Sequence, residues 1–144
     1  MKLEQIEQMW SEDCSIDRTS LDTESLKIPA LHSKYYKIFL REKMQLKSEE
    51  NDYNIFFKLK HEYYTGKLSQ EELEQYSWEP FQFVVLKNDL SIYINSDKEI
   101  AERLLKLQLQ KEKVDLLESI LKTLNNRGFL IKNAVDFLKF SNGN

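Results

Sequence analysis

Glycine and proline are scarce in this sequence: its 144 residues include only three Gly and two Pro. Both residue types interrupt regular elements, and a β-rich fold needs them at its many turns. Glu, Lys, Leu and Gln, which are abundant here, keep most of their rotamer freedom in a helix. The sequence therefore predicts a mainly α fold, and its length suits a single domain with a modest core.

Apolar side chains at helical spacing predict where the long helices lie. These helices cover residues 2–10, 29–64, 96–125 and 129–140. Pro29 suits the first turn of the second helix, and Gly66 and Gly128 suit positions just after a helix end. Ser69 and Glu72 form a capping-box pattern that begins a further short helix.

Two β-prone segments lie between the long helices. Residues 81–86 and 90–94 are rich in aromatic and β-branched residues and flank a turn with Asn88 and Asp89. This pattern predicts a small β-hairpin, which needs a surface to pack on because an isolated hairpin is marginally stable. The predicted organisation is a helical nucleic-acid-binding region (1–67), a connector with the hairpin (68–95) and a C-terminal helical oligomerisation region (96–144).

The second predicted helix is long for a compact chain of this size. Its 36 residues would span roughly 54 Å, whereas a globule of this length is only about 40 Å across. The helix is therefore either broken near 48–52 or part of a larger assembly, and we favour the assembly.

The apolar residues of 114–124 cover an arc of roughly 160°, wider than the ~100° that docking on one surface needs. We therefore expect the C-terminal helices to form the core of a homo-oligomer. The predicted interface residues are Val114, Leu117, Ile120, Leu121, Leu124, Phe129 and Ile131.

Charge is unevenly distributed along the chain, although the total is only −3. Residues 27–67 carry nine basic and five acidic side chains, and residues 100–144 carry eight basic and five acidic. Residues 1–26 and 68–99 each carry two basic and seven acidic. Because charges act over about 10 Å at ordinary salt, a local basic block matters more to a polyanion than the total charge. The block at 27–67 is the predicted place for an anionic partner.

The residue types that most enzymes and metal sites use are few. His32 and His61 are the only histidines, and Cys14 is the only cysteine. Their positions match no zinc-site spacing, and the glycines are too isolated for a phosphate-binding loop. The lone cysteine fits a reducing compartment, and no apolar run is long enough to cross a membrane. We therefore expect a cytoplasmic protein without catalytic activity, metal or cofactor.

Residues 53–66 interleave cations with aromatic rings. Single-stranded nucleic acid exposes phosphates and base faces, which a basic track with stacking platforms binds with little sequence preference. The predicted contacts are Lys58, Lys60, His61, Tyr63 and Tyr64. The competing interpretation is that these aromatic residues form core and these lysines are solvated. Lys58 and Lys60 also point about 200° apart on a straight helix, so both cannot face one strand squarely.

A second basic stripe precedes this segment on the same predicted helix. Lys34, Lys37 and Arg41 are three and four residues apart, which places them on one face. The stripe is either a second nucleic-acid contact or a solvated face, and the sequence leaves both open. A helical scaffold or adaptor that self-assembles without binding nucleic acid would explain the amphipathic helices equally well. It would not explain why cations and aromatic rings concentrate before Gly66.

Four stretches of the sequence resemble one protein family. They are 16–21 (Ile-Asp-x-Thr-x-Leu), 33–34 (Ser-Lys), 58–66 (Lys-x-Lys-x-x-Tyr-Tyr-Thr-Gly) and 127–132 (Arg-Gly-Phe-x-Ile-Lys). Their order, their spacing and the total length resemble the UvsY family, the recombination mediators of T-even-like bacteriophages.

The resemblance implies a helical fold that forms a homo-oligomeric ring of six or seven subunits through its C-terminal helices. It implies sequence-independent binding of single-stranded DNA and two protein partners, a RecA-like phage recombinase and the phage single-stranded DNA-binding protein. In that family the mediator helps the recombinase to load onto DNA that the binding protein covers. Lys58 and Lys60 match the family's DNA-contacting pair; the family's second residue resembles Arg, whose bidentate fork a lysine lacks. The acidic N-terminal helix, with Leu3, Ile6 and Trp10 on one face, is the predicted docking element for a protein partner.

Overall fold

The computed structural model describes residues 1–143, and every regular element in that part of the chain is a helix. The helices are α1 (Leu3–Asp13), α2 (Leu21–Tyr64), α3 (Gln70–Tyr76), α4 (Leu90–Asn95) and α5 (Lys98–Ser141). The predicted mainly α fold is confirmed. None of the helices within residues 1–143 is both long and apolar enough to cross a membrane.

The chain forms two compact units that do not coincide with the three predicted consecutive regions. Unit 1 consists of Met1–Gln45 together with the residues from Gln110 onward, and unit 2 consists of Leu46–Leu109. Helices α2 and α5 contribute residues to both units.

Unit 1 has a core built from three helices. Ile6 of α1, Tyr35 of α2 and Leu117 of α5 are each fully buried there. The ring of Trp10 meets that of Tyr35 edge-on at a centroid distance of 5.5 Å. The apolar face of α1 is therefore covered by its own chain, and the prediction that this face docks a partner is wrong.

Unit 2 has a smaller core in which aromatic residues dominate. Phe56 of α2, Ile94 of α4 and Ile100 of α5 are buried together, and Trp78 packs against them. The capping box predicted at Ser69 is present: the Glu72 amide donates to the Ser69 hydroxyl at 3.2 Å. This box begins α3, a helix of seven residues.

The predicted β-hairpin is absent from the described residues. Residues 81–86 form no regular element, and the second predicted strand is the helix α4. Tyr93 and Ile94 lie three and four residues after Leu90, so a helix turns all three side chains inward. Burial of these side chains on the unit 2 core outweighs β propensity, which is more dependent on context than helix propensity.

The predicted helix end at Gly128 is also wrong, because α5 continues through it to Ser141. A glycine inside a helix costs about 1 kcal/mol relative to alanine. Leu124, Arg127 and Ile131 are spaced three and four residues apart and are all buried. Continuing the helix keeps these side chains in unit 1, and that burial offsets the cost of Gly128.

Helix α2 begins at Leu21, eight residues before the predicted start, so Pro29 lies inside the helix. Pro29 has no amide hydrogen to donate to the Ser25 carbonyl. Both residues are exposed, so water can satisfy that carbonyl. The helix is unbroken over 48–52. Its end at Tyr64 matches the prediction, although its start does not.

Six of the seven residues predicted at a subunit interface are buried within unit 1. They are Val114, Leu117, Ile120, Leu121, Leu124 and Ile131. Helices α1 and α2 both cover α5 here, which accounts for its wide apolar arc without a second copy of the chain. Phe129, the seventh residue, is 70% exposed.

Candidate nucleic-acid interface

Lys60, one of the two central residues of the predicted site, is 4% exposed. Its ammonium lies 3.0 Å from Asp97 Oδ2 and 3.2 Å from Glu99 Oε1. It also lies 4.2 Å from the centroid of the Trp78 ring, at a distance where cation–π attraction acts. This cation is thus held between carboxylates and an aromatic face inside unit 2, which we call the Lys60 socket (Lys60, Tyr64, Trp78, Asp97 and Glu99).

Asp97 collects three donors in this socket. Besides Lys60, the Tyr64 hydroxyl donates to Oδ2 at 2.6 Å and the Ile100 amide donates to Oδ1 at 3.0 Å. Burial acts to raise the pKa of Asp97, but the hydrogen bonds from Tyr64, Ile100 and Lys60 outweigh it, so the pKa is lowered overall. Burial and the bond to Asp97 raise the pKa of Tyr64. The carboxylate is therefore ionised and the phenol neutral at neutral pH.

Tyr63 and Tyr64 belong to an aromatic cluster instead of forming open stacking platforms. The Tyr64 ring meets Phe81 edge-on at 5.0 Å, and the Tyr63 ring lies 5.2 Å from Trp78. The Tyr63 hydroxyl donates to the Glu79 carbonyl at 2.7 Å. These rings connect the end of α2 to the segment after α3, so their contacts are mainly structural.

Lys58 is in the opposite situation, because its side chain is 80% exposed. Its only ion pair within residues 1–143 is with Glu62 at 3.9 Å, near the limit for such a contact and worth little at an exposed site. Of the lysine pair at 58 and 60, the structure leaves one cation facing solvent and one inside the core. The half-buried His61 lies one residue further along α2.

Lys58 is part of a longer polar stripe on α2. Lys47, Asn51, Asn54 and Lys58 are all exposed and follow at intervals of four, three and four residues. At 100° per residue they fall within an arc of about 60° and extend over about 17 Å. We call this face the unit 2 stripe. Two cations and two amides along one face are suited to phosphate and sugar contacts.

In unit 1 the predicted basic stripe is partly neutralised. Lys34 donates to Asp13 at 2.6 Å. Burial acts to raise the pKa of Asp13, but bonds from Lys34 and Tyr35 outweigh it and the pKa is lowered. Lys37 and Arg41 remain exposed.

Lys47 and the two asparagines were missed by the sequence analysis, which searched for cations interleaved with aromatic rings. The signal that identifies them is the eleven-residue interval from Lys47 to Lys58, which returns to nearly the same side of a helix. No group of three or more His, Cys, Asp and Glu within residues 1–143 is arranged to hold a metal ion.

The fold and the site define a class: an all-helical protein, over residues 1–143, with a solvent-facing stripe of cations and amides suited to a polyanion. A family model described as "Recombination, repair and ssDNA binding protein UvsY" matches residues 9–144 of the chain. The chain belongs to this family, and the resemblance seen in the sequence is confirmed.

The chain is also similar to a curated protein in sequence and to solved structures in fold. The chain is 24% identical over 143 residues to "Recombination protein uvsY" of Enterobacteria phage T4, covering 99% of both chains. It is also similar to two crystal structures of the bacteriophage T4 recombination mediator protein UvsY. Lattice type IV gives a TM-score of 0.84 at 23% identity, covering 97% of this chain and 99% of that one. Lattice type II gives 0.85 at 23% identity, covering 98% of each.

Proposed function

We propose that this protein is a recombination mediator. It binds single-stranded DNA without sequence preference in the host cytoplasm and promotes the loading of a RecA-like recombinase onto DNA covered by single-stranded DNA-binding protein. Membership of a recombination, repair and single-stranded DNA-binding family supports the general activity. The single structural observation that carries the proposal is the exposed unit 2 stripe.

The unit 2 stripe is the proposed primary DNA contact. Lys47 and Lys58 bind phosphates at the two ends of the stripe, while Asn51 and Asn54 donate to phosphate or sugar oxygens between them. These contacts read no base edge, which gives binding without sequence preference. Lys37 and Arg41 form a second basic surface in unit 1. Lys60 acts indirectly, by fixing the end of α2 through its socket.

Weak contacts of this kind become effective when several copies act together. In a homo-oligomer each further stripe engages the same strand as an intramolecular event at high effective concentration. An assembly of this kind holds a DNA strand against a competing binding protein although each site is modest. The assembly acts on the recombinase by shifting the equilibrium between free recombinase and its filament toward the filament. This shift requires that the assembly bind the filament more strongly than the free recombinase.

DNA binding is tested by fluorescence anisotropy of a labelled single-stranded oligonucleotide across a salt series. We expect the native chain to bind tightly at low salt and weakly at high salt, because each phosphate contact releases counterions. The Lys47→Ala/Lys58→Ala variant is expected to bind more weakly. Its plot of log affinity against log salt should be shallower by about 0.7 for each phosphate that the variant no longer neutralises.

The matched control is Lys111→Ala/Lys122→Ala, which removes two exposed lysines of α5 outside both stripes. This variant should keep nearly the native affinity at each salt concentration. Equal reductions of affinity in both double variants would mean that binding follows net charge and not the stripe. No binding by a folded native chain at low salt would favour the scaffold or adaptor function.

Self-association is proposed through a face of α5 that shares only Phe129 with the seven interface residues that the sequence indicated. Large apolar side chains remain exposed near the end of the helix: Phe129, Leu130, Phe137, Leu138 and Phe140. Contiguous exposed apolar surface of this kind marks interaction sites.

The Phe129→Glu/Phe137→Glu variant is expected to sediment as a 17.3 kDa monomer while the native chain sediments as an oligomer. Two carboxylates in an apolar interface remain unpaired and carry a desolvation cost of several kcal/mol. The control is Leu105→Glu/Leu109→Glu, which changes side chains of 68% and 50% exposure on the same helix. A native chain that sediments as a monomer at micromolar concentration would refute self-association, and an oligomeric Phe variant would refute the proposed face.

A further inference from the structure

The segment between α3 and α4 exposes apolar side chains that its own unit does not cover. Phe83 is 69% exposed, Val84 is 96% exposed and Leu86 is 69% exposed. With their neighbours they form the run Phe-Gln-Phe-Val-Val-Leu at 81–86, whose composition has high β propensity and no charge. We call residues 82–86 the donor segment.

The backbone amides of this segment are also unpaired. Within residues 1–143, no amide from 81 to 88 donates a hydrogen bond to another backbone group. Both ends are nevertheless fixed. Phe81 packs against Tyr64 and Tyr93 at centroid distances of 5.0 and 5.3 Å, and the Asp89 amide donates to the Leu86 carbonyl at 2.9 Å. The chain therefore presents a short apolar segment with free amides from two anchored ends.

The charge around the donor segment selects the kind of partner. Exposed acidic residues surround it in sequence, namely Glu71, Glu72, Glu74, Glu79 and Asp89, against Lys87 and Lys98. This charge repels DNA phosphates. A second copy of the chain would bring the same acidic charge, and its residues 1–143 contain no β-sheet. A protein with an open sheet edge and basic side chains beside it complements all three features: free amides, a run of apolar side chains and negative charge.

We propose that the donor segment adds as a strand to an open, basic-rimmed β-sheet edge of a protein partner. The inference rests on the proposed function, and it assigns this contact to the RecA-like recombinase. The donor segment and the unit 2 stripe belong to the same compact unit. Tyr63 near the end of α2 bonds to Glu79 just before the segment. One unit thus carries both the surface for DNA and the surface for the protein that must reach DNA.

Hydrogen–deuterium exchange on the full chain tests the strand addition, with and without the purified recombinase and in the absence of DNA. In the free chain the amides of 82–86 should exchange rapidly. With the recombinase bound, about half of them should exchange at least tenfold more slowly, because alternate residues of an added strand turn their amides toward the sheet edge.

Affinity for the recombinase is compared between two single variants with the same type of change. Val84→Glu should weaken recombinase binding at least tenfold, while Leu26→Glu, at a position that is 81% exposed in unit 1, should leave it unchanged. Both variants should retain the salt-dependent DNA binding of the native chain, because neither residue is in a basic stripe.

The outcomes separate this inference from the proposed function. If the recombinase binds the native chain but exchange at 82–86 is unchanged, strand addition is overturned and the mediator proposal stands. If the recombinase does not bind although DNA does, both the inference and the recombinase-loading step are overturned, and DNA binding alone remains. Equal reductions of recombinase affinity for Val84→Glu and Leu26→Glu would also overturn the assignment to this segment.

Discussion

Replacing Lys60 with alanine is expected to lower the free energy of unfolding of unit 2 by about 3–5 kcal/mol. The change removes the cation from a socket that is almost closed to solvent and leaves Asp97 buried without its ionic partner. It also removes the aliphatic stem and ammonium from the face of Trp78. Since a domain of this kind is stable by only about 5–15 kcal/mol, a loss of this size is a large fraction of the total. Urea denaturation followed by tryptophan fluorescence measures it, because Trp78 lies in the socket.

The control for this prediction is Lys58→Ala, two residues away on the same helix. Lys58 is exposed and weakly paired, so its removal should change stability by less than about 0.5 kcal/mol while it reduces DNA affinity. If Lys60→Ala proves as stable as the native chain and still loses DNA affinity, Lys60 must leave its socket to contact DNA. A combined Lys58→Ala/Lys60→Ala variant cannot make this distinction, because it alters the DNA surface and the core together.

This difference between the two lysines indicates where sequence-based reasoning stops. The helical spacing of Lys58 and Lys60 already implied that they could not face one strand together. It could not say which one was buried, because that depends on Trp78, Asp97 and Glu99, which follow 18 or more residues later in the chain. The local sequence shows which residues share a face of a helix. It does not show which face is buried, because burial depends on contacts with segments that are distant in the chain.

The same limit explains why the hairpin prediction is wrong and why six of the interface residues predicted on α5 lie inside unit 1. Leu90, Tyr93 and Ile94 satisfy both a β-prone composition and a helical spacing, and only the unit 2 core decides for the helix. On α5, the wide apolar arc correctly indicated that more than one side is covered. The covering surfaces are α1 and α2 of the same chain, whereas the phenylalanines near the end of the helix are mostly exposed.

The second large effect is expected at Arg127, a residue that the sequence analysis used only as part of a family motif. Its side chain is 3% exposed and lies in unit 1. The guanidinium donates to the Asp13 carbonyl at 2.9 Å and to the Ser15 carbonyl at 2.7 Å, and lies 3.7 Å from Glu24 Oε2. It thereby connects the end of α1 and the start of α2 to α5. Arg127→Ala leaves two carbonyls without this donor and the buried Glu24 without this cation, so we expect a loss of about 3–5 kcal/mol.

The variant Arg127→Lys distinguishes charge from geometry at this position. Lysine keeps the positive charge, but all its donors are on one nitrogen. It cannot reproduce the planar guanidinium, which reaches two carbonyls and a carboxylate together. We expect Arg127→Lys to recover only part of the stability that Arg127→Ala removes. The control is Lys132→Ala, at an exposed position of the same helix, which should have nearly native stability. Calorimetry of the three variants and the native chain gives the comparison. Full recovery by lysine would mean that the ion pair with Glu24 alone holds these segments together, and that the two carbonyl bonds contribute little because water can replace them.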